Sequence, residues 1–217
     1  MLEISNIKVY DLEESVIACR NAMRTEMPEY TKEEFEASLP RAIALANTPN
    51  GSGHQTFLSG IRVSFDIKYP NYISPELQRY HWIDIVTSSS KMHRLLKMDL
   101  DKSCNKYVTP TQIKELQELI DNYNKLVEDE TSHCKFILRD GSRIEANTHK
   151  MCLYYQWMHI ISNCPLGLEL FMRVSTNYLQ LRTIVHQRRN HKLVEDWGAF
   201  CEFVESLPYA KEFGLCK

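Results

Sequence analysis

The chain has 217 residues, of which 43% are hydrophobic, 10% aromatic and 25% charged. Those proportions belong to a globular chain long enough to bury a core without disulfides or metal, and they exclude intrinsic disorder. With 26 basic against 28 acidic side chains the formal charge is −2, so no global field draws the chain to nucleic acid. No apolar run approaches the roughly eighteen residues of a membrane span.

The first residues, MLEISNIKVYDLEE, lack the basic and apolar stretches of a secretory leader, so the expected location is the cytoplasm. Few glycines and prolines leave linkers scarce, which predicts one domain over residues 1–217 with Asn47–Gly53 as the loop-rich tract of its first half. Ile4–Tyr10 predicts a short strand. Asp11 with Glu14 is a capping-box start for a helix through about Met23, and Thr31 with Glu34 repeats that signal for a second helix, in which Pro40 is an awkward interior residue.

From Ile61 to Tyr69, apolar Ile61, Val63, Phe65, Ile67 and Tyr69 alternate with Arg62, Ser64, Asp66 and Lys68, the period of a half-buried strand. Pro75 suits the first turn of a helix through Trp82. Thr109–Glu128 places Ile113, Leu116, Leu119, Ile120, Tyr123, Leu126 and Val127 at helical spacing. Asp140-Gly141, between short apolar runs in Lys135–Glu145, predicts a hairpin. Tyr154, Tyr155 and Trp157 read as core on the next helix, and further helices are predicted over Asn177–Arg189 and Val194–Glu205. The fold class is α+β with more helix than strand.

Seven cysteines, Cys19, Cys104, Cys134, Cys152, Cys164, Cys201 and Cys216, are odd in number, scattered and without a CxxC pair. They read as reduced, mostly buried small hydrophobes rather than a disulfide framework or zinc site. His186 and His191 are five apart, not the i, i+4 spacing of two helical metal ligands, so no metal is expected. GxGxxG, Walker and GxSxG motifs are absent. Functional side chains concentrate in two segments, 76–94 and 177–196. Ser88–Ser90 beside Lys91, His93 and Arg94 suits either a phosphate or a solvated, serine-capped turn. The patch His186, Arg188, Arg189, His191 and Lys192 suits a phosphate or pyrimidine carbonyl, or a basic helix terminus complementing the dipole.

The segment from Gly53 to Lys91 resembles the flavin-dependent thymidylate synthases, whose strand, helix and RHRxxSxNExSxR signature lie in the same order. Gly53-His54 resembles the family's glycine-histidine before the strand, with Thr56, Phe65 and Pro70 following in register. Arg79 falls on the first signature arginine, Ser89 on the second serine and Lys91 on the last arginine. Further on, Pro165, Asn177, Arg188 and acidic Asp196 match a proline, a helix-opening asparagine, the pyrimidine-facing arginine and a glutamate. The chain departs from the pattern at Tyr80, His81, Asp84, Val86 and Thr87, at Ile161 where the family has another arginine, and at Glu76 where it has a glutamine near the nucleotide.

The resemblance implies a helix-rich domain with a small antiparallel sheet, assembled as a homotetramer and binding a pyrimidine nucleotide. It implies reductive methylation of dUMP to dTMP with FAD, NADPH and methylenetetrahydrofolate. Ser89 and Lys91 would hold the dUMP phosphate, Glu76 would lie near the nucleotide and Arg188 would polarise the uracil. His54, Arg79, His81 and Asn177 would face the flavin. The departures keep a second reading open, a non-catalytic nucleotide- or phosphate-binding protein on the same fold without flavin. Net acidity leaves a nucleic-acid binder using Gln187–Lys192 as the weakest of three.

Overall fold

The computed structural model describes residues 1–49 and 51–216; Asn50, in the predicted Asn47–Gly53 loop, lies outside them. In chain order the elements are β1 (Glu3–Tyr10), α1 (Leu12–Ala18), α2 (Lys32–Ala46), β2 (Arg62–Pro70), α3 (Ser74–Leu77), β3 (Asp84–Ser88), α4 (Lys91–Arg94) and α5 (Leu100–Ser103). Then follow α6 (Pro110–Glu128), β4 (Cys134–Ile137), β5 (Arg143–Ala146), α7 (His149–Ser162), β6 (Glu169–Asn177), α8 (Tyr178–Arg188) and α9 (Val194–Glu205). Helix outweighs strand and the sheets are small and antiparallel, the α+β class expected. Residues 1–69, 73–89 and 170–217 make one compact unit, and residues 70–72 with 90–169 a second.

The first unit is built on a sheet of order β1-β2-β6-β3. In β2 the predicted alternation holds, with Val63, Phe65, Ile67 and Tyr69 buried and the four polar residues between them half-exposed. β6 repeats the pattern with Leu170, Met172, Val174 and Thr176 inward. The contacts Ile61–Tyr178, Ser64–Ser175 and Asp66–Arg173 run in opposite chain directions, so β2 and β6 are antiparallel. The inner face packs on α9, where Phe65 meets Phe203 at 4.7 Å and Phe200 at 6.3 Å between ring centroids. Burying such a ring is worth several kilocalories, because truncating a core Phe to Ala costs about 3–5 kcal/mol. The outer face carries ion pairs instead: Arg62 with Asp84 at 3.2 Å, Arg173 with Asp66 at 3.1 Å and Lys68 with Glu3 at 3.2 Å.

Two predicted helices are shorter than their spacing suggested. Asp11 turns the chain out of β1 with left-handed backbone, φ 56° and ψ 29°, and its side chain caps nothing; α1 stops at Ala18, leaving a single 3-10 turn at Asn21–Met23. The helix expected from Pro75 to Trp82 is confined to α3. Beyond it the chain turns through Tyr80 N–H to Leu77 C=O and Ile83 N–H to Tyr80 C=O, and Asp84–Ser88 pairs with β6. β-Branched Ile85, Val86 and Thr87 suit that strand better than a helix. Thr31 does cap α2, accepting from Glu34 N–H at 3.2 Å, and Pro40 stays inside that helix. The Glu34 carboxylate does not close the box; it is held by Arg24 and by Arg20 at 3.3 Å.

In the second unit, the Thr109–Gln112 capping box opens α6, which buries Leu116 and Ile120 but leaves Val127 exposed. The predicted hairpin pairs Cys134 with Ala146 and Ile137 with Arg143. Its turn needs Gly141 at φ 82°, and Asp140 accepts from Ser142 N–H at 2.9 Å and Oγ–H at 2.6 Å. On α7, Tyr155 packs on Phe136 and Trp157 on Tyr123, but Tyr154 is 56% exposed, so the aromatic cluster is core only in part. The seven cysteines are free. Cys152 and Cys201 are buried and the other five only half-buried, fewer than expected, because most sit at element ends rather than on inward faces. Burial pushes the Cys104 and Cys134 thiols up to about 11.

The hydrogen bond from Arg24, with the nearby Arg20 charge, holds the Glu34 carboxyl below its ordinary range. A depressed folded-state pKa gives stability present above the unfolded value of about 4.3 and lost as pH falls through the folded one. Thermal melts from pH 7 to 3 are therefore expected to show Glu34→Gln less stable than wild type at pH 7, the gap closing at the acid end.

Candidate functional site

A polar cluster of the first unit lies where α3, the turn after it, the end of α8 and the start of α9 meet. Glu76 leaves α3 with its Oε2 in an ion pair with Arg188 Nη1 at 3.0 Å and accepting a hydrogen bond from Trp197 Nε1–H at 2.8 Å. Arg188 Nε–H donates to the Tyr80 hydroxyl at 2.8 Å, which donates on to Gln187 Oε1 at 3.2 Å. The guanidinium lies over the Trp197 ring, 4.6 Å from its centroid, and 5.6 Å from that of Tyr80. Such contacts favour a desolvated cation. Trp197 is fully buried, whereas the Arg188 side chain is 13% exposed and that of Glu76 24%.

His191 completes the cluster. Its Nδ1 accepts from Leu193 N–H at 3.2 Å, which leaves the ring proton of the neutral form on Nε2, the atom 3.6 Å from Glu76 Oε1. That separation is an electrostatic contact rather than a hydrogen bond. The basic patch expected over 186–192 therefore divides: Arg188 and His191 turn to Glu76, Arg189 pairs with Glu205 at 3.0 Å, and His186 and Lys192 face solvent.

Of the residues singled out in the sequence, Glu76 and Arg188 are brought into direct contact. Asn177 is buried and caps α8, its Oδ1 accepting from Gln180 N–H at 2.9 Å. Ser89 pairs with β6, its N–H donating to Phe171 C=O at 2.8 Å and its Oγ accepting from Phe171 N–H at 3.0 Å. Arg79 and His81 are exposed on the turn after α3 and make no hydrogen bond or ion pair among the described residues. His54 is exposed and lines a cavity of about 1060 Å³ with Cys19, Arg20, Arg41 and Phe57. Lys91, half-buried, opens α4 in the second unit, where its charge lies near Cys164. Glu76, Asp84 and His81 form no acid/base set: Asp84 pairs with Arg62 on the outer sheet face. Among the described residues no group of three or more His, Cys, Asp or Glu is placed to hold a metal ion, and no helix is long and apolar enough to cross a membrane.

Tyr80, Trp197 and Gln187 had no signal as partners of Arg188. Tyr80 appears in the sequence only as a departure from a motif, and Trp197 only as an apolar position of the last helix.

Searches of solved structures return this architecture over the whole chain. Flavin-dependent thymidylate synthase ThyX from Helicobacter pylori, solved with FAD and dUMP, matches with TM-score 0.64 at 14% identity, covering 99% of each chain. The fold is that of a flavin-dependent thymidylate synthase. A second structure of the Helicobacter pylori ThyX with FAD and dUMP matches with TM-score 0.62 at 14% identity, covering 100% of both chains. No protein-family profile and no curated protein sequence matches the chain. On this thymidylate synthase-like fold, the arginine of α8 is held by three side chains of its own unit, Glu76, Tyr80 and Trp197.

Replacing Tyr80 by Phe removes the acceptor of Arg188 Nε–H while keeping the ring. A loss of about 1–2 kcal/mol is expected in urea unfolding, the cost of leaving a part-buried charged donor unpaired.

Proposed function

We propose that this chain is a divergent flavin-dependent thymidylate synthase-like protein acting on a pyrimidine nucleotide. Its reaction would be the reductive methylation of dUMP to dTMP with FAD, NADPH and methylenetetrahydrofolate. The observation carrying this reading is Arg188, fixed between Tyr80 and Trp197 at the end of α8 in a fold shared end to end with synthases solved with FAD and dUMP. A guanidinium so placed donates to a ring carbonyl and stabilises negative charge developing on the pyrimidine. Trp197 and Tyr80 fix its plane and keep water from its inner face.

The residues proposed for flavin retain donors for it. Arg79 and His81 have no internal partner among the described residues, the Asn177 amide nitrogen remains after capping, and His54 opens on a cavity with Arg20 and Arg41. When bound, the flavin supplies the hydride chemistry, and the protein's part is orientation and charge. Ser89 and Lys91 are each assigned to the nucleotide phosphate. A homotetramer in the cytoplasm is the expected state. Exposed Trp82, Ile85, Val86 and Phe171 around edge strand β3 support self-association, since exposed apolar side chains beside an unpaired strand edge favour burial against another chain.

A second reading, a non-catalytic nucleotide- or phosphate-binding protein without flavin, is favoured by one observation. The Glu76 carboxylate pairs with Arg188 at 3.0 Å and offsets its charge.

The absorbance spectrum of purified protein between 300 and 550 nm, before and after FAD and dUMP, separates the two. Flavin bands that co-purify or shift with dUMP are expected of the enzyme, and a featureless spectrum of the second reading. Arg188→Ala is expected to weaken dUMP binding at least about tenfold, the loss of a charged hydrogen bond. Unchanged binding and turnover would remove Arg188 from its assigned role. Light scattering is expected to give the mass of four chains.

A further inference from the structure

Three N–H groups distant in sequence converge on one carboxylate. Trp197 Nε1–H donates to Glu76 Oε2, Arg188 Nη1 pairs with the same oxygen at 3.0 Å, and His191 Nε2 faces Oε1 at 3.6 Å. A nitrogen faces each oxygen, by hydrogen bond and ion pair at Oε2 and by electrostatic contact at Oε1, so the position suits an acceptor; a glutamine there would turn its NH₂ toward one of them. Burial runs in the same direction. Trp197 is wholly enclosed beneath, whereas Glu76, on a four-residue helix, is 24% exposed on the open side.

We propose that Arg188, Trp197 and His191 form an oxygen-binding cradle that Glu76 fills as an internal ligand, and that a ligand bearing a planar carbonyl or carboxylate binds by displacing the Glu76 side chain. Arg188 hydrogen-bonds Tyr80 through Nε–H and pairs its Nη1 with Glu76, so an incoming oxygen at that end of the guanidinium competes with the resident carboxylate. Glu76 turns out toward water by rotating about its own side-chain bonds, while Arg188 keeps its contacts with Tyr80 and Trp197. Glu76 thereby sets how strongly the site takes any acceptor, and an occupant must match both the oxygen-sized cradle and the flat Trp197 floor. The proposal names the uracil edge as occupant only through the nucleotide reading above; the cradle itself rests on the donor geometry.

The test compares wild type with Glu76→Ala in the full chain, titrating dUMP and, separately, sodium acetate by calorimetry and tryptophan fluorescence. Glu76→Ala is expected to bind acetate where wild type does not, to lose that binding when Arg188→Ala is added, and to bind dUMP at least about tenfold more tightly than wild type. Acetate bound by Glu76→Ala with dUMP bound by neither protein upholds the cradle and removes the nucleotide reading. Equal dUMP affinity in both proteins with no acetate binding overturns the cradle and leaves the nucleotide reading standing. Should a thermal melt find Glu76→Ala unfolded, Glu76→Gln carries the same comparison, and a dUMP affinity no tighter than wild type overturns the proposal.

Discussion

The Glu76 carboxylate is the point on which α3, α8 and α9 depend together. A half-buried guanidinium stacked on a buried indole is stable only with a counter-charge, because an unpaired ion at such a site loses hydration without return. The indole donates to the oxygen that also pairs with the guanidinium, so the carboxylate links the end of α8 to the start of α9. The sheet makes this meeting possible. β2 and β6 are antiparallel, so α3 leaves one end of the pair while α8, capped by Asn177, begins at the other. Eleven helical residues rise about 16 Å, enough to return Arg188 along the sheet to Glu76.

Much of this frame is legible in the sequence, for local reasons. β2 announces itself by strict alternation, α6 by its Thr109–Gln112 box and apolar face, and the hairpin by Asp140-Gly141, because each signal is complete within a few residues. The same locality explains the errors. Asp11 and Glu14 have capping-box spacing, but β1 ends in a left-handed turn that takes the Asp11 side chain away from the helix. Pro75 opens a helix that stops after Leu77, because the following residues are claimed by pairing with β6, about ninety positions downstream. β6 itself alternates as clearly as β2, with Leu170, Met172, Val174 and Thr176 inward. The site was legible as residue types and not as partners: Arg188 and Glu76 stand out singly, but nothing local joins positions 112 residues apart.

The departures from the synthase signature are not scattered losses in this fold. Glu76 forms an ion pair with Arg188 and Tyr80 hydrogen-bonds it, Asp84 is the carboxylate that pairs with Arg62, and Val86 occupies the irregularity where β3 shifts register against β6. These four residues each have a structural occupation, and those of Glu76 and Tyr80 concern the same guanidinium. Changes of this kind are mutually consistent. A tyrosine hydroxyl and a carboxylate satisfy Arg188 jointly, whereas either alone would leave a donor of the charged group unmet.

The electrostatic consequence follows from the sign of the resident charges. An arginine beside a neutral amide offers its full charge to a ligand oxygen, whereas one paired with a carboxylate at 3.0 Å presents a nearly neutral pair whose field falls off steeply with distance. Such a pair discriminates little between an anionic and a neutral ligand and depends instead on shape and hydrogen-bond direction. Anionic character developing on a bound ring would meet repulsion from Glu76 as well as attraction from Arg188, unless the carboxylate turns away. Whatever chemistry the site performs is therefore coupled to the position of one glutamate side chain, held from beneath by Trp197 and open to water above.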